Sequence, residues 1–232
     1  MINKNFKIQF TQKVFLLLLL SFSSLLNAQS LPRDFTYIEL IDESIVIDLR
    51  YLSNNNFVGK PIDGYTANKI ILTHKTALVL KEVQKELNKL GYGLKIFDAY
   101  RPQRAVNHFK YWAKDLNDTL KKQEYYPNEL KKNLFKHGYI ASRSGHSRGS
   151  TVDITLIDWQ TKQEIDMGSP FDFFGEISGF YYKEISNKQR KNRALLRALM
   201  GKYNFKPYNK EWWHFTLRNE PFPKTYFDFE IN

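Results

Sequence analysis

Two short segments hold the side chains best suited to chemistry. The first runs Ser144-Gly145-His146-Ser147-Arg148-Gly149-Ser150-Thr151-Val152-Asp153, and the second is Glu211-Trp212-Trp213-His214-Phe215. His146 sits among glycines and serines, small residues that let the backbone come close to a bound ion. In the strand-like stretch that follows, Val152, Ile154 and Leu156 share one face, so Asp153 and Thr155 point to the other. A carboxylate there needs either a salt-bridge partner or a functional role, and the segment alone leaves both open. In the second segment, bulky aromatics beside Glu211 exclude water and raise the basicity of its carboxylate, which suits a general base near neutral pH. Residues three apart face opposite ways on a regular strand. Glu211 and His214 can therefore share a site only if Glu211 lies in a bulge or an irregular turn leading into the strand. The alternative is a core histidine bonded to backbone, with the glutamate at the surface.

The chain has five histidines and no cysteine. Disulfides, thiolate–metal sites and cysteine nucleophiles are thereby excluded, and any metal must sit on histidine and carboxylate ligands. His146, Asp153 and His214 together supply two imidazoles and a carboxylate, a ligand set that leaves a fourth tetrahedral position for water, as a catalytic zinc site requires. Glu211 is then placed to take that water's proton. His74 begins a predicted helix, His108 lies inside one and His137 precedes a glycine; each reads as structural or surface.

The elements that must position these groups are legible in outline. Ser44–Tyr51 is strand-like. His74–Leu90 is a predicted helix, with Ala77, Leu80, Val83, Leu87 and Leu90 at three- and four-residue steps and Gly91 suited to the left-handed position after it. Tyr92–Asp98 reads as a buried strand, stopped by a turn at Tyr100-Arg101-Pro102. Gln103–Asp115 is a second helix with Ala105, Phe109 and Trp112 on one side, and Lys188–Tyr203 a third. Ser150–Ile157 and Trp212–Leu217 alternate as strands do. Helices mixed with a few strands, without regular βαβ spacing, predict an α+β domain with a mainly antiparallel sheet flanked by helices.

Residues 1–28 read as a secretory signal: Lys4, Lys7 and Lys13 without an acid, then an apolar run from Val14, then Asn27-Ala28 at the expected cut. The apolar run is short and broken by serines, so no lasting membrane insertion is expected once it is cleaved. Residues 29–232 then form one domain, exported to the periplasm or secreted. The formal net charge of +11 suits an anionic surface or simply a soluble one. Its basic residues, such as Lys131-Lys132 and those from Lys188 to Arg193, are scattered through helical stretches, so nucleic acid is not an expected partner.

From about residue 35 to the end, the sequence resembles the D-alanyl-D-alanine dipeptidase family, zinc peptidases that include the vancomycin-resistance dipeptidases. The likeness is carried by Asp98-Ala99-Tyr100-Arg101-Pro102, the His146 segment, Met167-Gly168-Ser169-Pro170-Phe171-Asp172-Phe173 and Glu211–Phe215, and continues through Asn219-Glu220-Pro221 and Tyr226–Phe229. The resemblance implies a small α+β zinc peptidase holding one zinc ion per chain on His146, Asp153 and His214, with Glu211 as catalytic base. It places Arg101 where the family stabilises the tetrahedral intermediate. Asp172 falls on the carboxylate that receives the substrate ammonium, with Tyr51 beside it, and Ser144 on the pocket lining. Without the family, Arg101 reads as a turn residue paired with Asp98, and Asp172 as a loop carboxylate. The implied substrate is a small dipeptide. Two alternatives keep the fold: a carboxypeptidase trimming longer wall peptides, and a non-catalytic zinc-containing wall-binding module. The export segment departs from the resistance enzymes, which act in the cytoplasm.

Overall fold

A five-stranded sheet with strand order β2-β4-β5-β7-β6 frames the molecule. Its strands are β2 (Val46–Ile47), β4 (Tyr92–Asp98), β5 (Thr151–Asp158), β6 (Phe205–Pro207) and β7 (His214–Leu217). Only β2 and β4 run parallel; the other neighbours are antiparallel. A second, two-stranded sheet pairs β1 (Phe35–Tyr37) with β3 (Ile71–Thr73). The computed structural model describes residues 31–232, so the segment read as an export signal lies outside the described residues.

Among those residues there are four α-helices: α1 (His74–Lys89), α2 (Gln103–Lys114), the single turn α3 (Lys122–Tyr125) and α4 (Asn187–Lys202). The expected α+β architecture is present, with helix limits within a residue or so of those predicted. On α1, Ala77, Leu80, Val83 and Leu87 are fully buried and pack toward β3 and β4. Each large aliphatic side chain there contributes roughly 1.5–3 kcal/mol by leaving water. Leu90, predicted to continue that stripe, is 53% exposed, because α1 stops at Lys89 and Gly91 turns the chain with φ +80°. A reciprocal capping box between Ser186 and Gln189 starts α4, which packs on β6 and β5. Among the described residues, no helix is long and apolar enough to cross a membrane.

Two strand expectations are corrected. In Ser44–Tyr51 only Val46 and Ile47 pair with β4; the chain then coils into a 3₁₀ turn, Arg50–Leu52, that buries the Tyr51 ring. In Trp212–Leu217 pairing begins only at His214, because the preceding residues form a turn. Two predicted surface lysines or arginines also prove to be interior. Arg193 is 2% exposed and Lys131 6%. Lys131 donates to the carbonyls of Asp115 and Asp118 and lies 4.0 Å from the centre of the Trp112 ring, so its charge is neutralised locally by backbone dipoles and an aromatic face.

Aromatic packing closes the domain around the His146 loop. Phe35 stacks on Phe222 and meets Phe227 and Phe229 edge-on, while Phe229 stacks on Tyr100 at 4.0 Å. The amide of Phe227 donates to Ser147 O, which straps the C-terminal segment over that loop. Gly149 ends the loop at φ +78°, where a Cβ would lie 2.3 Å from the Phe35 ring. Its glycine is thus required by chain packing as well as by backbone conformation.

Candidate active site

Sheet register brings the three predicted ligands together. Asp153 lies in β5 opposite His214 of β7 on one side and Asp98 of β4 on the other, where a bulge between Ile96 and Asp98 shifts the pairing. His146 reaches the same place from the 3₁₀ turn Gly145–Arg148, whose first amides are capped by Ser144 Oγ accepting from His146 N. His146 Nδ1 lies 2.7 Å from Ala99 O. A carbonyl only accepts, so Nδ1 carries the proton and Nε2 offers its lone pair. That Nε2 is 3.2 Å from Asp153 Oδ2 and 3.3 Å from His214 Nδ1, and His214 Nδ1 is 3.1 Å from Asp153 Oδ1.

These three groups fit a metal ion. One ligand atom from each lies within 4.8 Å of the others. Asp153 Oδ1 is buried without a hydrogen bond of acceptable geometry, and a buried carboxylate oxygen in that state needs a cation. Burial works to raise the Asp153 carboxyl, but the two flanking imidazoles outweigh it and hold the group well below the usual carboxylate range. Burial also lowers the His146 imidazole, which favours its neutral, ligating form. Two nitrogens and one carboxylate oxygen match the donor preference of zinc.

Glu211 joins this group through the turn that precedes β7. Glu211 N donates to Tyr208 O, His214 N to Glu211 O at 3.4 Å, and Tyr208 N back to His214 O. The resulting tight loop puts Glu211 Oε2 3.5 Å from His214 Nδ1, resolving the parity problem of residues three apart on a strand. The Trp212 and Trp213 rings stand perpendicular to one another and both anchor the loop to the Ser169–Phe171 segment. Trp213 packs edge-on against Phe171, and Trp212 Nε1 donates to Ser169 Oγ. Burial pushes the Glu211 carboxyl up to about 7.

Arg101 and Asp172 complete the constellation. Arg101 Nε donates to Asp98 Oδ2 at 2.8 Å, and Nη2 lies 3.4 Å from Asp153 Oδ2. Its guanidinium lies against the Tyr51 and Phe109 rings, 5.0 and 5.2 Å from their centres. The pairing with Asp98 is therefore present, and the same arginine also faces the cavity. Asp172, at φ +60°, accepts from Tyr51 Oη at 2.8 Å. It makes no ion pair among the described residues, and burial, reinforced by the charge of Asp153, raises its carboxyl well above the usual range. A buried acid in that state is poised to gain from a cationic ligand. All eight predicted site residues line or enclose one cavity of about 300 Å³. His108 and His137 instead pair with Asp63 and Glu129 away from it.

The family model described as D-ala-D-ala dipeptidase matches residues 33–232. The chain belongs to this family. Family members are zinc-dependent peptidases, and this chain is a metallopeptidase whose His146, Asp153 and His214 form a group able to hold the ion. Relatives named D-alanyl-D-alanine dipeptidase include one from Enterococcus faecalis, 44% identical over 198 residues, or 85% of this chain and 98% of the relative. One from Enterococcus faecium is 42% identical and one from Streptomyces coelicolor 41%, each again covering 85% of this chain and 98% of the relative.

Two residues that shape this dipeptidase-family site do more than the sequence reading gave them. Asp98, read from the sequence only as a partner of Arg101 in a turn, is fully buried and also accepts from Tyr65 Oη at 2.7 Å. Arg193 donates to the carbonyls of Met167, Gly179 and Ile177, clamping both ends of the loop that carries Asp172. Arg193 stands three and seven residues before the buried Leu196 and Met200, on the same helix face, and that spacing is the signal that sets it apart from its exposed basic neighbours.

Proposed function

We propose that the protein hydrolyses D-alanyl-D-alanine to two D-alanines with one zinc ion held by His146, Asp153 and His214. The observation that carries this reading is the cavity's arrangement: beside the ligand group stand a half-buried glutamate, a fixed arginine and a buried carboxylate without a cationic partner among the described residues. The names of the relatives support the substrate. When bound, zinc supplies Lewis-acid chemistry, polarising the scissile carbonyl and acidifying water. Glu211 takes the proton of the attacking water and delivers it to the leaving amine as the carbon–nitrogen bond breaks. Arg101, held by Asp98, donates to the oxyanion that develops on the carbonyl oxygen. Asp172, fixed by Tyr51, pairs with the ammonium of the free dipeptide, and Ser144 shapes the lining near His146. An extended N-terminal side would leave Asp172 unpaired, which disfavours longer peptides.

The test is to offer the zinc-loaded protein D-Ala-D-Ala, L-Ala-L-Ala and a wall pentapeptide, with and without chelator. Hydrolysis centred on D-Ala-D-Ala, lost with chelator and restored by zinc, is expected. Equal trimming of the pentapeptide would replace this reading with a carboxypeptidase.

The proposed setting is outside the cytoplasm, in turnover of wall fragments, because an exported enzyme cannot reach a cytoplasmic precursor pool. Support comes from the lysine-flanked apolar run ending at Asn27-Ala28. N-terminal sequencing of the exported form should find a start near Gln29; recovery from cytosol alone would refute export.

A further inference from the structure

A free dipeptide carries a cation at one end and an anion at the other. The dipeptidase reading gives the ammonium to Asp172 and leaves the carboxylate without a partner. That carboxylate enters a cavity already lined by Asp153, Asp172 and Glu211. A further anion among so many acidic side chains is best placed where a cation of its own stands near it. Two arginines line the cavity, Arg101 and Arg143. Arg101 is held by Asp98 and Asp153, and the dipeptidase reading gives its cavity side to the developing oxyanion.

Arg143 is placed differently. It is exposed at the cavity rim, three residues before His146, and makes no ion pair or hydrogen bond among the described residues. Its guanidinium lies over the Tyr226 ring, 5.3 Å from the centre. The neighbouring Arg148, over the same ring, is by contrast held by Glu220 through two 2.8 Å contacts. A guanidinium held only against an aromatic ring keeps its N–H donors free, and its fork matches a carboxylate in a two-pronged contact. Asp172 and Arg143 also stand on separate walls: Asp172 is bonded to Tyr51, whereas Arg143 rests on the C-terminal segment.

We propose that Arg143 receives the C-terminal carboxylate of the dipeptide. The assignment rests on the dipeptidase reading and sharpens it, because the substrate is then gripped by its two charges at two different walls. An ion pair at an open rim is partly screened, so the expected contribution is roughly five- to tenfold in specificity. A lysine at the same place keeps the charge and loses the fork, so it restores only part.

The experiment compares kcat/KM for D-Ala-D-Ala and its C-terminal amide, using zinc-loaded wild type, Arg143→Gln and Arg143→Lys. Arg143→Gln should lose roughly five- to tenfold more on the acid than on the amide, mainly through KM, and Arg143→Lys should recover part of that difference. Calorimetry on the Glu211→Gln protein, with and without Arg143→Gln, should show the same acid-over-amide ratio in Kd. Equal losses on both substrates, or no loss on either, overturn the assignment while leaving the dipeptidase reading intact. A wild-type enzyme that does not cleave D-Ala-D-Ala overturns the dipeptidase reading itself, and the assignment with it.

Discussion

The central strands β4, β5 and β7 and the loop from Met167 to Gly179 contribute to the same cavity but are held by different physics. In the strands, Asp98, Asp153 and His214 are cross-strand neighbours, so backbone ladders set their spacing before any side chain bonds. The loop has no such ladder. Asp172 sits there at φ +60°, a conformation that costs a non-glycine residue on the order of 1 kcal/mol. The loop keeps its shape through Arg193, Ser178 Oγ donating to Phe173 O, and Trp212 N donating to Ser178 O. Two of the three groups proposed to bind metal, Asp153 and His214, are thus built into regular structure, and the group proposed to select substrate hangs on a buried guanidinium. Chemistry and specificity should therefore be separable by mutation.

The sharpest test of that separation is a pair of variants at the turn before β7. His214→Ala should lose tight zinc binding and all measurable turnover, because it removes a ligand. Glu211→Ala should keep zinc while kcat falls by about 10²–10⁴. Metal analysis alongside hydrolysis assays distinguishes the two, and a Glu211→Ala protein that emptied of zinc would show that the division of roles is wrong. Next in size is Arg193→Met. It leaves the carbonyls of Met167, Ile177 and Gly179 without their donor, which should destabilise the fold by roughly 3 kcal/mol in urea unfolding. In the folded protein, KM for the dipeptide should rise with zinc content unchanged; loss of zinc instead would mean that the loop and the sheet are one unit.

A smaller effect is expected at Asp172 itself. Asp172→Asn removes the charge proposed to meet the ammonium, worth roughly 1.5–3 kcal/mol, or about ten- to a hundredfold in kcat/KM. The advantage of the free dipeptide over its N-acetyl form should narrow in parallel. If wild type cleaves the N-acetyl form equally well, Asp172 does not read the ammonium. The smallest effect should come from His137→Ala, which breaks only the contact with Glu129 away from the cavity. Stability should shift by less than about 1 kcal/mol with kcat/KM unchanged, and a large loss of activity would give this histidine a part in the reaction.

Much of the site was visible in residue type and spacing. With no cysteine, the ligand chemistry was confined to histidine and carboxylate, and the two short segments named His146, Asp153, Glu211 and His214 before any fold was known. Arg101, Asp172, Tyr51 and Ser144 came from likeness to a family, since a turn arginine and a loop aspartate carry no local mark of function. Helices α1, α2 and α4 were legible because a buried stripe repeats within the helix itself. Strands β1 and β3 were not, because Phe35 meets Thr73 only after the intervening chain has folded back, and no local pattern encodes that closure.

The sequence by itself determined the chemical inventory: which donors exist, that the metal site must be nitrogen and oxygen, and that Glu211 and His214 could meet only across an irregular turn. The tertiary structure decided the rest. It set the register that puts Asp153 between Asp98 and His214, and it chose Arg193, out of a run of basic residues, as an interior clamp. It also set which carboxyls are raised and which depressed, with Glu211 near 7 and Asp153 far below its ordinary value. The reason is common to all three. Register, burial and local dielectric arise from segments distant in the chain, so the same residue types acquire opposite properties according to what folds against them.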